Sequence, residues 1–197
     1  MTPAEVHAAI RADLLARAEP HKLPLMQRFF KDRIDAYCTY TPFVRAAAKT
    51  HVKTFAAWAP KDRTALTNAL WQSGKFEEGA VAIHLYAGMR RHCELCEWKI
   101  WTRWLERYVH NWAHCDTLCA ELLGPLLIRH PEWIGELREW ISAPQVYKRR
   151  AALVAPLKGI RKGLFRAEAA ELLSLIAHDR TDIIKKGVVW LKKELAR

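Results

Sequence analysis

The sequence predicts an all-α fold, a solenoid of stacked helical pairs. Three observations predict it. Apolar residues recur with the helical period from one end of the chain to the other. No stretch alternates β-branched and polar residues as a half-buried strand must. Helical segments follow one another through short connections marked by Gly, Pro, Asn, Ser or Asp, and the units recur at roughly 35–45 residues.

Each element has its own signal. Residues 4–17 carry Val6, Ile10, Leu14 and then Ala18 at near-fourfold spacing, and the pattern stops before Pro20. Residues 23–34 repeat it with Leu25, Met26, Phe29, Phe30 and Ile34, and a polar and aromatic bend follows at 35–40. Thr41-Pro42 reads as a helix start, with Thr41 as N-cap and Pro42 at the first helical position. Arg45, Lys49 and Lys53 then sit one turn apart on one face, with no acid between Ala36 and Ala57. A helix start followed by such a stripe suits consecutive phosphates; a solvated face is the plainer alternative. Residues 62–71 and 76–89 form the next pair, joined at Ser73-Gly74. Helices are expected at 94–108, 112–128, 132–141, 145–157, 165–177 and 182–196. Recurring helical pairs without identical motifs are the signature of a HEAT-type solenoid, whose concave face is the usual binding surface. No Ser/Gly linker or low-complexity run divides the chain, so 1–197 is expected to form one domain.

Composition bounds the function classes. With 197 residues and 51% apolar content the chain is long and hydrophobic enough for a real core. No apolar run approaches the roughly 18 residues of a membrane span, and the start lacks the basic and apolar regions of a secretory signal. Five cysteines, an odd number, are expected as reduced thiols in a cytoplasmic protein. The formal charge of +11 points to a polyanionic partner, nucleic acid first. A second basic run, between Tyr147 and Glu168, carries Lys148, Arg149, Arg150, Lys158, Arg161, Lys162 and Arg166 without an acid.

The stretch richest in chemistry is Asn111-Trp112-Ala113-His114-Cys115-Asp116. On a helix, Trp112 and Asp116 stack on one face, indole beside carboxylate. That pair suits a cationic or cation-developing ligand, because the ring face attracts positive charge and the acid adds a full negative one. Core packing and helix capping are the competing explanations. Lys186 and Trp190 pair an aromatic with a cation at the same spacing.

Taken in order, Leu70-Trp71-Gln72-Ser73, Glu77-Glu78, Trp112 with Asp116, Arg149-Arg150-Ala151-Ala152-Leu153 and Lys186-Gly187-Val188-Val189-Trp190 resemble the AlkD-type DNA alkylation repair glycosylases, from about Leu25 to the end. The resemblance implies a right-handed superhelix of HEAT-like repeats with a basic concave groove for duplex DNA. It implies excision of N3- and N7-alkylated purines, without a cofactor and without flipping the base. Residue by residue, it implies that Trp112 and Trp190 cradle the damaged nucleotide and that Asp116 is the catalytic carboxylate. It places Arg150 on the DNA backbone, and Thr41, Arg45 and Lys49 where the family contacts phosphates. Lys148, Arg149 and Lys186 join them as expected DNA-binding residues, in a monomer that works in the cytoplasm on the nucleoid. Two departures stand out. Longer relatives continue with another repeat after the last Trp, and their Leu-Arg-Glu reads Leu191-Lys192-Lys193-Glu194 here.

Two other readings compete. Cys93, Cys96, Cys115 and Cys119 form CxxC and CxxxC pairs, a spacing that four-thiolate zinc uses and that helix packing uses as well. A helical solenoid can also bind nucleic acid or protein without chemistry. Hydrolases and phosphoryl transferases of the common classes are excluded by the absence of GxSxG, P-loop and HExxH motifs.

Overall fold

A computed structural model describes residues 1–197, apart from the side chain of Leu95. Among the described residues the secondary structure is helical, and the one β-type feature is an isolated parallel bridge between Asp35 and Lys75. No described helix is long and apolar enough to cross a membrane. The chain divides into two compact units, Met1–His92 and Cys93–Arg197.

The first unit holds α1 (Pro3–Leu15), α2 (Leu23–Gln27), α3 (Thr41–Ala57), α4 (Pro60–Gln72) and α5 (Phe76–Met89). Thr2 and Glu5 close a capping box at the start of α1, satisfying backbone donors that the first turn leaves open. The periodic residues Val6, Ile10 and Leu14 are fully buried, and α1 packs on α3 and α4 while α5 packs on α3 and α4. The expected helix at 23–34 is shorter than its pattern. It ends at Gln27, whose side-chain amide donates to the carbonyls of Phe30 and Asp32 and accepts from the Ile34 amide, so it organises a loop instead. Leu25 and Phe29 remain exposed, and without burial the period has no helix to stabilise. α3 begins at Thr41, one residue earlier than expected; the cap is Tyr40, which makes no side-chain capping bond.

The Glu77-Glu78 pair holds this unit together. Glu77 accepts the backbone N–H groups of Tyr37 (2.9 Å) and Thr39 (3.1 Å), which pins the extended segment before α3 against α5. Burial pushes its carboxyl up, and those backbone donors pull against the shift. Glu78 is fully buried and receives His7 (2.6 Å), Arg11 (2.8 Å) and the Tyr37 hydroxyl (2.7 Å). Burial alone raises its pKa, but these partners outweigh it and bring the group down to about 2. Burial, together with the neighbouring Glu78 carboxylate, drives the Tyr37 hydroxyl up to about 12.

The second unit holds α6 (Leu95–Arg107), α7 (Trp112–Leu118), α8 (Gly124–Arg129), α9 (Leu137–Ile141), α10 (Val146–Val154), α11 (Leu157–Ile160), α12 (Arg166–Leu175) and α13 (Asp182–Leu195). Helix α10 is central: α6, α7, α9, α12 and α13 all pack on it. Trp98, Trp101 and Trp104 of α6 are buried; Trp98 stacks on Trp140 at 5.3 Å and donates to Glu136 at 2.7 Å. The expected helix at 112–128 is continuous but not uniform. A π-turn at Cys119–Leu123 joins α7 to α8, with the Gly124 N–H reaching back five residues to the Cys119 carbonyl. Pro125 explains the wider turn, since its ring collides with the carbonyl of a regular preceding turn and supplies no N–H. Gly124 has its own reason: a Cβ there would lie 2.8 Å from the Ala155 carbonyl.

Candidate active site

Asn111 starts the site. Its backbone is extended and its side-chain oxygen accepts the His114 N–H at 2.8 Å, so α7 begins at Trp112. Trp112 and Asp116 then fall one turn apart on that helix. Trp112 is 37% exposed and the Asp116 side chain 16% exposed, so a partly exposed aromatic residue lies one turn from a recessed carboxylate.

Arg150 of α10 grips that carboxylate with two parallel hydrogen bonds, Nε to Oδ1 at 2.8 Å and Nη2 to Oδ2 at 2.7 Å. Its third nitrogen, Nη1, donates to the Ile183 carbonyl on α13 at 2.6 Å. One buried guanidinium therefore ties α7, α10 and α13 together. Burial pulls its pKa down, and the Asp116 carboxylate more than restores it. Arg150, expected at the DNA backbone, is placed against the Asp116 carboxylate. The group is 5% exposed and its fork is filled by Asp116, so it orients the carboxylate. Each Asp116 oxygen accepts one N–H from Arg150 and retains a lone pair for another donor or a cation.

Trp190 sits on α13, half-buried, and α13 packs on α10 next to Arg150. Gly187 permits the close approach: a Cβ there would meet Leu153 Cδ1 at 3.2 Å and Arg150 Nη1 at 3.5 Å. Trp190 also lines a cleft of about 230 Å³, whose other walls include Glu121 from the π-turn and Lys158 and Arg161 from α11 and its C-terminus. In the sequence Lys158 and Arg161 belong only to a basic run, and nothing there singles out Glu121. The π-turn that brings Glu121 to the cleft leaves no signal in helical spacing, beyond the downstream Pro125.

The remaining expected contacts separate into two groups. Arg149 pairs with Asp179 at 2.8 Å and donates to the carbonyls of Ala143 (2.8 Å) and Pro144 (3.0 Å), which fixes the connection before α10. Lys148 pairs with Glu106 at 2.6 Å and lies over the Trp140 ring. These two cations are thus engaged within the unit. Thr41, Arg45, Lys49 and Lys186 are exposed, and Arg45, Lys49, Lys53 and Lys186 form no ion pair among the described residues.

The cysteines pack rather than converge. The Cys115 thiol donates to the Tyr147 carbonyl at 3.3 Å across the α7–α10 contact, and Cys119 of the π-turn lies 3.9 Å from the Ala151 carbonyl of α10. Burial pushes the Cys119 thiol well up. Among the described residues, no three His, Cys, Asp or Glu side chains gather as a metal site.

A family model described as DNA alkylation repair enzyme matches residues 10–197. Among curated proteins, none matches the chain by sequence. In fold, the chain is similar to a solved protein of Enterococcus faecalis titled a predicted DNA alkylation repair enzyme. The TM-score is 0.81 at 16% identity, over 91% of this chain and 84% of that one.

Proposed function

The chain belongs to the DNA alkylation repair enzyme family, and on that premise we propose that it is a glycosylase that excises cationic N3- and N7-alkylated purines from duplex DNA. The observation that carries the reading is the Asp116 carboxylate held by a buried Arg150, one turn along α7 from the partly exposed Trp112. An alkylated purine of this kind already bears positive charge, so its glycosidic bond is weakened and needs no proton from an acid. What remains is to stabilise the oxocarbenium-like sugar and to place a water. A fixed carboxylate suits both tasks, because a charge oriented in advance costs no reorganisation as the sugar becomes cationic. Trp112 and Trp190 offer π faces to the charged nucleotide, each worth about 1–2 kcal/mol when desolvated.

The same chemistry accounts for leaving the base in the duplex. A charged leaving group needs no enclosing pocket to donate to it, unlike the neutral bases that flipping enzymes read. Arg45 and Lys49, with the start of α3 at Thr41, are the proposed sequence-independent phosphate contacts. No cofactor is required by this scheme.

The test is single-turnover release of 7-methylguanine from duplex DNA by the wild type and by Asp116→Asn. The substitution keeps the shape and one oxygen acceptor but removes the charge. The expected loss is roughly tenfold to a thousandfold in rate, about 1.4–4 kcal/mol of barrier, with little change in affinity for the damaged duplex. Equal rates would remove Asp116 from the mechanism. No release by the wild type would leave a DNA-binding scaffold without this chemistry.

A further inference from the structure

Three arginines of the basic run between Tyr147 and Glu168 turn to α13. Arg150 Nη1 donates to the Ile183 carbonyl at 2.6 Å, in the first turn of that helix. Arg161 meets Glu194 in the last turn, with Nε to Oε2 at 3.0 Å and Nη2 to Oε1 at 2.7 Å. Arg166 donates to the carbonyl of Leu195, where α13 ends. Glu194 also accepts Arg197 Nη1 at 2.9 Å. Between the two ends, Gly187, Trp190 and Glu194 follow at intervals of three and four residues, so they lie along one stripe of the helix. Trp190 and Arg161 line the same cleft.

Glu194 is out of place on the helix's own terms. An acid in a last turn opposes the helix dipole. The residue is 3% exposed, and a buried carboxylate carries a desolvation cost. The Arg161 hydrogen bonds, against that cost, bring its carboxyl down to about 2, so it stays ionised. Half of the Arg161 side chain remains in solvent. A buried ion pair is a weak source of net stability. What this one supplies is direction, because a planar fork on a carboxylate fixes distance and angle together. Ile184 and Leu191, both fully buried, also hold α13 against its neighbours, but apolar contacts are non-directional.

We propose that the Arg161–Glu194 pair is a positioning device, which sets the angle at which Trp190 meets the damaged nucleotide. Arg150 pins the start of α13 and Arg161 pins its end, and the helix is held against rolling between them. Trp190 lies one turn before Glu194, so its indole follows the pinned end. The use of that angle rests on the glycosylase reading above: a ring attracts a cation through its face, and a tilted ring loses the contact.

The experiment incorporates 5-fluorotryptophan and reads the fluorine spectra of the wild type, Glu194→Gln and Arg161→Lys. Trp190→Phe and Trp112→Phe assign the two resonances. Glu194→Gln keeps the shape but cannot accept a fork. Arg161→Lys keeps the charge, loses the fork and changes a half-exposed side chain, so it spares the fold; melting of each variant checks this. In both variants the Trp190 resonance is expected to shift or broaden while that of Trp112, on α7, stays. A Trp190 signal that moves in neither variant overturns the proposal. Single-turnover release of 7-methylguanine is expected to fall about 3- to 10-fold in Glu194→Gln, and not to fall further when Trp190→Ala is already present. The same fold-loss in both backgrounds would make Glu194 a general support of the fold and overturn its positioning role. If the wild type releases no base, the glycosylase reading fails, and the fluorine spectra alone decide whether the pair orients Trp190.

Discussion

Trp112 and Asp116 stand one turn apart on α7, and Arg150 of α10 holds the Asp116 carboxylate with two hydrogen bonds. The Trp112–Asp116 pair needed only the helical period, and the structure places both on α7. Their anchor, Arg150, lies 34 residues from Asp116, and the same side chain read in sequence as a phosphate contact. Nothing local in the sequence names Asp116 as the partner of Arg150. The Glu77-Glu78 pair shows the same limit, since two partners of Glu78 are 67 and 71 residues away in α1 and a third, Tyr37, is 41 away. Its chemistry gives a test. The folded pKa of Glu78, about 2, lies below the ordinary 4.5, so its ionisation stabilises the fold fully above pH 4.5. That contribution disappears as the pH falls toward 2, on the order of 3 kcal/mol in all. Glu77, whose pKa is raised, works the other way and offsets part of the loss on acidification. Glu78→Gln should therefore lower the melting temperature at pH 7, where Arg11 loses a buried partner, and should flatten the dependence on pH between 4.5 and 2. Melting curves of both proteins across that range check it; parallel curves would show that Glu78 does not titrate as described.

Among elements, most helices were placed by their apolar period, and the misses have physical reasons. The 23–34 pattern failed because its apolar residues are not buried: Leu25 and Phe29 face solvent while Gln27 gathers the following loop. The π-turn at Cys119–Leu123 was hidden because one extra residue per turn does not erase an apolar pattern. The α10–α13 contact was foreshadowed only by Gly187 within the Lys-Gly-Val-Val-Trp run. A Cβ at 187 would press on Leu153 Cδ1 at 3.2 Å, and that side-chain end has some freedom to move. Gly187→Ala is thus expected to be close to neutral, since the gain in helix propensity, up to about 1 kcal/mol, offsets the tight contact. Gly187→Val has no such escape. Its branches push α13 away from α10, costing about 1–3 kcal/mol. They also disturb the Arg150 bond to the Ile183 carbonyl. Thermal melting and single-turnover excision should separate the two variants, the valine losing both stability and rate. A valine variant with wild-type melting and rate would show that the close approach is dispensable.

For the whole molecule, the formal charge of +11 was legible at once, but a count of charges does not say which of them a polyanion meets. Lys148, Arg149 and Arg150 form the densest basic triplet, and all three are paired, with Glu106, Asp179 and Asp116. Arg45, Lys49, Lys53, Lys158 and Lys186 are exposed and form no ion pair among the described residues. A cation already beside a carboxylate holds little counter-charge to exchange, so engaging a phosphate gains less there than at an unpaired lysine. Counterion release makes this measurable, because the logarithm of the binding constant falls with the logarithm of salt by about 0.9 for each phosphate neutralised. Duplex binding should therefore weaken steeply with salt, and Lys49→Gln should lower the slope by about 1 on damaged and undamaged DNA alike. Lys148→Gln should lower it by distinctly less, because the Glu106 carboxylate freed by the change was the partner that Lys148 neutralised. Titrations of one labelled duplex at several salt concentrations give all three slopes. Equal losses for the two lysines would mean that DNA displaces Glu106 from Lys148, and that ion pairs in the unliganded chain do not predict which cations bind.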